Sequence, residues 1–145
     1  RGVIIRSWAR QTAILEHPAV GAFLPHWGWH SVLEAVAAGV PMLTWPKVYE
    51  QFITERLLTD VLGIGERLWP HGAGLRSEDY EKHEVIPADD VARALLTFMH
   101  PGGPGEVMRT RVMDLASKSR AAMAEGGSSQ NDLHRLVNDL IAARG

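Results

Sequence analysis

The alternation of short apolar runs with helix-forming runs is the sequence feature that most restricts the fold of this chain. Strands are predicted at residues 2–8, 22–26, 40–45 and 64–69, and helices between them at residues 11–17, 31–38 and 50–62. Gly39 and Gly63 follow two of these helices, at the position where glycine takes the left-handed conformation that ends a helix. Runs this short indicate parallel pairing through right-handed crossovers. The sequence therefore predicts an α/β fold, with a parallel sheet flanked by helices.

The second half of the chain loses this alternation. Residues 70–87 show no periodicity, and a run of that length predicts a variable loop that is mobile or functional. Helices are predicted at residues 88–100, 106–125 and 128–144, and we expect each to dock on the domain through an apolar face. In the last helix this face consists of Leu133, Leu136, Val137, Leu140 and Ile141.

Composition excludes several classes of function. A chain of 145 residues fits one domain with a full hydrophobic core. Its formal net charge of −2, from 15 basic and 17 acidic residues, makes nucleic acid and anionic membranes unexpected partners. No apolar run reaches the roughly 18 residues of a membrane span, and the absence of cysteine fits a cytoplasmic protein. Because the chain opens at Arg1 in a strand-like run, we expect it to be part of a longer protein.

A cluster of polar and aromatic residues, HWGWHS at residues 26–31, separates a predicted strand from a predicted helix. Ligands of open α/β sheets bind beyond the carboxyl ends of the strands, and free N–H groups at a helix N-terminus bind anions. The segment is therefore a candidate phosphate site, where Gly28 allows the ligand to approach the backbone closely. Glu34, three residues after Ser31, either closes a capping box with Ser31 or reaches the hydroxyl groups of the ligand.

A longer stretch around this cluster carries a family resemblance. Residues 8–51, WARQTAILEHPAVGAFLPHWGWHSVLEAVAAGVPMLTWPKVYEQ, resemble without a gap the signature box of the plant secondary-product UDP-glycosyltransferases. The matching parts are the W-A-x-Q start, H-P-A-V-G-x-F, H-x-G-W-x-S-x-L-E, G-V-P-M-x-x-W-P and the final E-Q. The flanking residues 1–8 and 52–69 are also similar to the family.

The resemblance implies both a fold and a function for residues 1–145. The fold is the Rossmann-like, C-terminal half of a GT-B glycosyltransferase, which binds the donor. The function is an inverting transfer of glucose from UDP-glucose to a hydroxyl group of a small-molecule acceptor, with no cofactor and no metal. The catalytic histidine, its aspartate partner and most of the acceptor pocket would belong to an N-terminal domain absent here, so this chain alone would be inactive. The alternative is a non-catalytic nucleotide-binding module or partner subunit.

The resemblance also implies which residues would contact the nucleoside. The uracil ring would stack on Trp8, and Gln11 would lie near the ribose. Glu34 would accept hydrogen bonds from the ribose hydroxyl groups, which suits a carboxylate beside a vicinal diol. Stacking of a base on an aromatic side chain contributes on the order of 1–3 kcal/mol.

The diphosphate and the sugar are assigned to other residues by the same resemblance. His26 and Ser31, beside Gly28, would hold the diphosphate. The sugar would contact the residues Trp29, Glu50 and Gln51. A glutamine at the end of the box goes with glucose as the donor sugar in this family.

Four residues depart from the family pattern, and three of them lie in the phosphate loop. Arg10 replaces the usual proline, Pro25 a threonine or serine, Trp27 a cysteine, and His30 an asparagine that contacts the diphosphate. Pro25 removes a backbone donor and Trp27 adds a bulky indole, so we expect a reshaped loop and donor binding that is weakened or lost. An imidazolium at His30 would favour the phosphate and offset part of this loss.

Several of these residues also have interpretations outside the family roles. Outside the box, a tryptophan such as Trp8 would be assigned to the core, where Trp45 and Trp69 are expected. The spacing of His30 and Glu34 predicts a local ion pair rather than a metal site, because two ligands do not make a zinc site. A hydrolase built on Ser31 is disfavoured, since the chain has no G-x-S-x-G motif.

Overall fold

The computed structural model describes residues 2–26, 28–69 and 85–144, and each predicted helix is present in them, with its ends shifted by a few residues. The helices are α1 (Gln11–Leu15), α2 (Trp29–Ala38), α3 (Gln51–Arg56), α4 (Ala88–Met99), α5 (Pro104–Met123) and α6 (Ser128–Ala142). The strands are β1 (Met42–Thr44) and β2 (Gly65–Arg67). Of the predicted loop, residues 70–84 lie outside the described residues, and residues 85–87 form neither helix nor strand.

The two strands pair in parallel, as the sequence predicts, with Met42 opposite Gly65. Phe23 forms a parallel bridge on the other side of β1: its N–H donates to the carbonyl of Pro41 over 3.0 Å and its carbonyl accepts from Leu43 over 2.9 Å. The strand predicted at residues 22–26 is therefore reduced to one bridged residue. Pro25 has no N–H to donate, so the ladder cannot continue past it.

The sheet divides the hydrophobic core into two parts, because adjacent residues of β1 point to opposite faces. On one face Met42 belongs to a cluster with residues of α2, of α5 and of the segment after α3, namely Val32, Ala35, Val112 and Leu58. On the other face Leu43 belongs to a cluster with Leu68, Ile86 and Phe98 of α4. Trp45 and Trp69 pack against this second cluster, as expected of core tryptophans. The sheet is thus covered on both faces, which is usual for parallel pairing.

Two glycines end helices where the sequence predicts them. Gly39 follows α2 with φ +70°, and a Cβ atom there would lie 3.3 Å from Cγ of Met113 on α5. Glycine at this position therefore both permits the left-handed turn and lets α5 pack closely. Gly63 has φ +61° and follows a π-helical turn, Leu57–Val61, that continues α3. In that turn the N–H of Leu62 donates to the carbonyl of Leu57 over 2.9 Å.

The strand predicted at residues 2–8 is wrong. This segment contains neither helix nor strand, and Val3 and Ile4 are 91% and 84% exposed. A β-rich run becomes a strand only when a neighbouring strand accepts its backbone hydrogen bonds, and no residue in the described part of the chain pairs with this one.

The expectation that all three C-terminal helices dock through an apolar face holds for two of them. Phe98 of α4 and Val112 of α5 are buried, but α6 has no buried residue. Its predicted apolar stripe is solvent-exposed over Leu133, Leu136, Val137, Leu140 and Ile141. The period of 3.6 residues correctly identified the apolar face of α6, but a helix buries such a face only if another element lies against it.

Candidate functional site

The N-terminus of α2 presents backbone donors next to the sheet. Gly28 is the N-cap residue, and its carbonyl accepts from Ser31 over 3.0 Å and from Val32 over 3.4 Å. The helix therefore begins at Trp29, two residues before the predicted start. The N–H groups of Trp29 and His30 have no acceptor within the helix, and the helix dipole adds a partial positive charge. This terminus is suited to bind an anion.

The imidazole of His26 lies close to Gly28. A Cβ atom at position 28 would lie 3.4 Å from Nε2 of His26, an ordinary van der Waals contact. His26 and His30 are both exposed, and Trp29 is 48% exposed. Of the departures from the family pattern in this loop, Pro25 is buried, and Trp27 lies outside the described residues.

Gln11 connects α1 to the first turns of α2. Its Nε2 atom donates to Oγ of Ser31 over 3.1 Å and to Oε2 of Glu34 over 2.5 Å. All three residues are half-buried. Glu34 thus neither caps the helix through Ser31 nor forms the predicted ion pair with His30, since its hydrogen-bond partner among the described residues is Gln11. The three side chains form a polar cluster with capacity left to accept hydrogen bonds from hydroxyl groups.

Trp8 lies three residues before α1 and is 92% exposed. The alternative that Trp8 is a core residue is therefore wrong. An exposed indole of this kind offers an open face on which a flat ring can stack. Arg10, which stands where the family has proline, is the N-cap residue of α1.

A second group of predicted site residues follows β1, and its two members differ in environment. Glu50 is exposed, whereas Gln51 is 7% exposed. The Oε1 atom of Gln51 accepts from the backbone N–H of Lys47 over 2.7 Å and from that of Val48 over 3.1 Å. The oxygen of this amide is committed to the loop, so its NH₂ group is the part that remains to donate to a ligand.

Parallel topology places both groups at one edge of the sheet. The segment bridged at Phe23 leads into His26 and Gly28, and β1 leads into the loop before α3. The carboxyl ends of parallel strands meet at a common edge, where ligands of open α/β sheets bind. The hydrogen bonds of the described residues join Gln11 with Ser31 and Glu34, but they do not join this cluster to Trp8 or to Gln51.

A polar network between the end of β1 and α3, next to Gln51, was not predicted from the sequence. The hydroxyl of Thr44, at the end of β1, donates to the carboxylate of Glu55 on α3, and both residues are buried. Nε of Arg67 lies 3.6 Å from Oε2 of Glu55. Glu55 follows Gln51 by four residues on a helix, which places the two side chains on one face. That spacing, with a hydroxyl at the end of the preceding strand, is the signal that would have identified the network.

At the border of this network, Arg67 and Asp60 shift each other's pKa. The hydrogen bond from Arg67 lowers the pKa of Asp60, and the same hydrogen bond raises the pKa of Arg67. Closer to the loop, Nζ of Lys47 lies 3.8 Å from the centre of the Trp45 ring. Partial burial lowers the pKa of Lys47.

Within residues 2–26, 28–69 and 85–144, no three histidine, cysteine, aspartate or glutamate side chains are grouped as a metal ion would need. Over the same ranges, none of the helices combines the length and apolar character of a membrane span.

Comparison with known proteins identifies the family. The profile of the family described as UDP-glucoronosyl and UDP-glucosyl transferase matches residues 1–64. UDP-glycosyltransferase 73E1 of Stevia rebaudiana is 41% identical over 140 residues, which cover 97% of this chain and 28% of that protein. This chain thus spans a little over a quarter of the length of that relative.

Solved structures of UDP-glycosyltransferases are also similar to this chain. UGT73P12 of Glycyrrhiza uralensis, in complex with glycyrrhetinic acid 3-O-monoglucuronide, is 36% identical, with a TM-score of 0.84 over 97% of this chain and 28% of its own. UGT71G1 of Medicago truncatula, in complex with UDP-glucose, is 32% identical, with a TM-score of 0.75 over 91% of this chain and 26% of its own. The likeness confirms the predicted fold class, a Rossmann-like half of the GT-B fold. The chain belongs to the plant UDP-glycosyltransferase family.

Proposed function

We propose that this chain is the UDP-sugar-binding part of an inverting glycosyltransferase that moves glucose from UDP-glucose to a hydroxyl group of a small acceptor molecule. The observation that carries the proposal is the contact of Gln11 with Ser31 and Glu34 beside the N-terminus of α2. Three residues that the resemblance assigns to the ribose and the diphosphate are in hydrogen-bonding contact, next to backbone donors suited to phosphate. The related UGT71G1, solved with UDP-glucose, supports the choice of ligand.

The diphosphate would lie at the start of α2. The N–H groups of Trp29 and His30 would donate to its oxygens, together with the hydroxyl of Ser31 and the ring of His26. These donors are in position before the reaction, so they would stabilise the negative charge that develops on UDP as it departs. Gly28 would allow the phosphate to approach the backbone.

The nucleoside and the sugar would lie on either side of the diphosphate. Uracil would stack on the exposed ring of Trp8, and Glu34 would accept from the ribose hydroxyl groups while Gln11 holds its carboxylate in place. The sugar would contact Trp29, Glu50 and the NH₂ group of Gln51. No metal is required, because the charge of the diphosphate is balanced by hydrogen-bond donors and the helix dipole.

Transfer would need a second domain. In an inverting reaction the acceptor oxygen attacks the anomeric carbon from the face opposite UDP, the bond from that carbon to UDP breaks, and a base removes the proton of the acceptor hydroxyl. The resemblance assigns this base, a histidine, to an N-terminal domain outside residues 1–145. The exposed apolar stripe of α6 supports a further part of the enzyme packing against it.

Calorimetric titration of the purified chain with UDP, UDP-glucose and UDP-galactose tests the proposal. We expect UDP and UDP-glucose to bind, UDP-galactose to bind less tightly than UDP-glucose, and no sugar to be transferred to a phenolic acceptor. Glu34→Gln should weaken UDP, whereas Glu16→Gln, at an exposed position at the end of α1, is the matched control. A folded chain that binds no UDP would refute the donor site. Sugar transfer above a no-protein control would refute the assignment of the base to another domain.

A further inference from the structure

The loop at residues 45–50, between β1 and α3, is held in its middle and at its base by side chains of α3. Gln51 accepts from the N–H groups of Lys47 and Val48 over 2.7 and 3.1 Å. Glu55, one helical turn later, accepts from the hydroxyl of Thr44, the residue directly before the loop. Two side chains on one face of α3 therefore clamp the loop, one inside it and one at its base.

The contact at the base of the loop, between Glu55 and Thr44, involves a buried carboxylate. Glu55 is 8% exposed and Thr44 is 1% exposed. The charge that faces Glu55 is the guanidinium of Arg67, whose Nε atom lies 3.6 Å from Oε2 of Glu55. The same guanidinium also pairs with Asp60, whose carboxylate lies 2.9 Å from Nη2 of Arg67. The ion pair of Glu55 with Arg67 is only partly buried, because the Arg67 side chain is 31% exposed, and such pairs add little to stability. Stability alone is therefore a weak reason for a carboxylate at this position.

The clamped loop contains a backbone conformation that is unfavourable by itself. Tyr49 has φ +54°, and it is the non-glycine residue with positive φ in the described parts of the chain. Its side chain is 79% exposed, so packing of the ring does not hold it there. Such conformations persist only where the surrounding structure imposes them, and they are concentrated at functional sites. The residue immediately after Tyr49 is Glu50, and the next is Gln51.

From this arrangement we propose that Glu55 is a positioning residue: by holding Thr44 at the base of the loop, it keeps Glu50 and Gln51 in the arrangement that binds the hydroxyl groups of the donor sugar. The inference rests on the proposed function, because it assumes that these two residues contact the sugar. Glu55 itself touches no ligand. Its effect should therefore appear in the discrimination between UDP-sugar and UDP, rather than in the binding of UDP.

The test replaces the buried pair by apolar residues of similar volume, in the double variant Thr44→Val/Glu55→Met. Replacing both partners of a hydrogen bond by apolar groups of similar shape can be nearly neutral for stability, and Arg67 keeps its contact with Asp60, so a folded protein is expected. Thr44→Ser, which keeps the hydroxyl, and Glu55→Gln, which keeps an acceptor oxygen, are the conservative variants. Thr59→Val is a matched control, because its hydroxyl donates to the carbonyl of Glu55 and to Asp60 outside the loop.

Two measurements on the full chain separate the outcomes. Hydrogen–deuterium exchange without ligand reports the order of residues 45–51, and calorimetry gives the ratio of the affinities for UDP-glucose and UDP. For the double variant we expect faster exchange at the Lys47 and Val48 amides, unchanged exchange in β1 and α2, and a ratio reduced by about fivefold, the usual effect of one lost hydrogen bond. Thr44→Ser, Glu55→Gln and Thr59→Val should all keep the wild-type ratio.

Each contrary result has a definite meaning. Unchanged exchange in the loop of the double variant, or faster exchange with an unchanged ratio, overturns the positioning role while leaving the proposed function intact. Equal weakening of UDP and UDP-glucose also overturns it, since the effect would then not concern the sugar. If the wild-type chain binds no UDP at all, the proposed function fails, and the role of Glu55 fails with it.

Discussion

The side-chain amide of Gln11 donates a hydrogen bond of 3.1 Å to the hydroxyl of Ser31, 20 residues further along the chain. The same nitrogen donates to Glu34, so one side chain of α1 orients two side chains of α2. In the proposed site this contact would hold the diphosphate ligand and the ribose ligand in place before UDP arrives. Its removal provides the first prediction.

Gln11→Ala should weaken UDP about fivefold, because Ser31 and Glu34 lose the donor that orients them and one hydrogen bond contributes about 1 kcal/mol. Calorimetry with UDP measures the loss. Gln130→Ala is the matched control. Gln130 lies in the first turn of α6, where its side chain accepts from the backbone N–H of Gly126, and it has no part in the site. If both substitutions have the same effect on UDP affinity, the contact does not serve nucleotide binding.

Trp8→Ala should weaken UDP by about 1–3 kcal/mol through the loss of base stacking. The indole is 92% exposed, so the melting temperature should not change. Trp8→Phe, which keeps an aromatic face, should retain most of the affinity. Unchanged UDP affinity in Trp8→Ala would show that uracil does not stack here.

Gln51→Ala should weaken UDP-glucose while leaving UDP nearly unchanged, because the amide is expected to contact the sugar. The structure adds a control to this experiment. In Gln51→Glu a carboxylate oxygen can still accept from Lys47 and Val48, but the NH₂ donor is gone. Equal loss of UDP-glucose affinity in both variants would assign the effect to the donor. Loss in Gln51→Ala alone would assign it to the order of the loop.

His30 should make UDP binding depend on pH in a way that the family's usual asparagine would not. Imidazole is the side chain that ordinarily changes charge between pH 5 and 8, and a bound diphosphate favours its protonated form. Binding would then take up a proton, so affinity should rise as the pH falls from about 8 to about 6. The measurement is UDP affinity across this range in the wild type and in His30→Asn.

The comparison with His30→Asn is needed because UDP itself titrates in the same range. The terminal phosphate of UDP is present in both experiments, so only the difference between the two profiles belongs to His30. Parallel profiles would exclude His30 as a phosphate ligand. The cluster around Gly28 would then be better explained as packing that has replaced a binding loop.

Some features of this protein follow from the sequence alone. Parallel pairing was predicted from the alternation of short runs, and the ends of α2 and of the helix after it from Gly39 and Gly63. The family was identified from the box at residues 8–51. These features depend on residues close together in the chain, because helix periodicity, helix termination and a contiguous motif each act over a few residues.

Other features were decided only by the tertiary structure. The segment at residues 2–8 has the composition of a strand but no partner, and α6 has an apolar stripe that remains exposed. Gln11 contacts Ser31, and Thr44 contacts Glu55, because packing of the helices on the sheet brings them together. Whether an apolar face is buried, and which polar group meets which, depends on elements distant in the chain, and no local pattern contains that information.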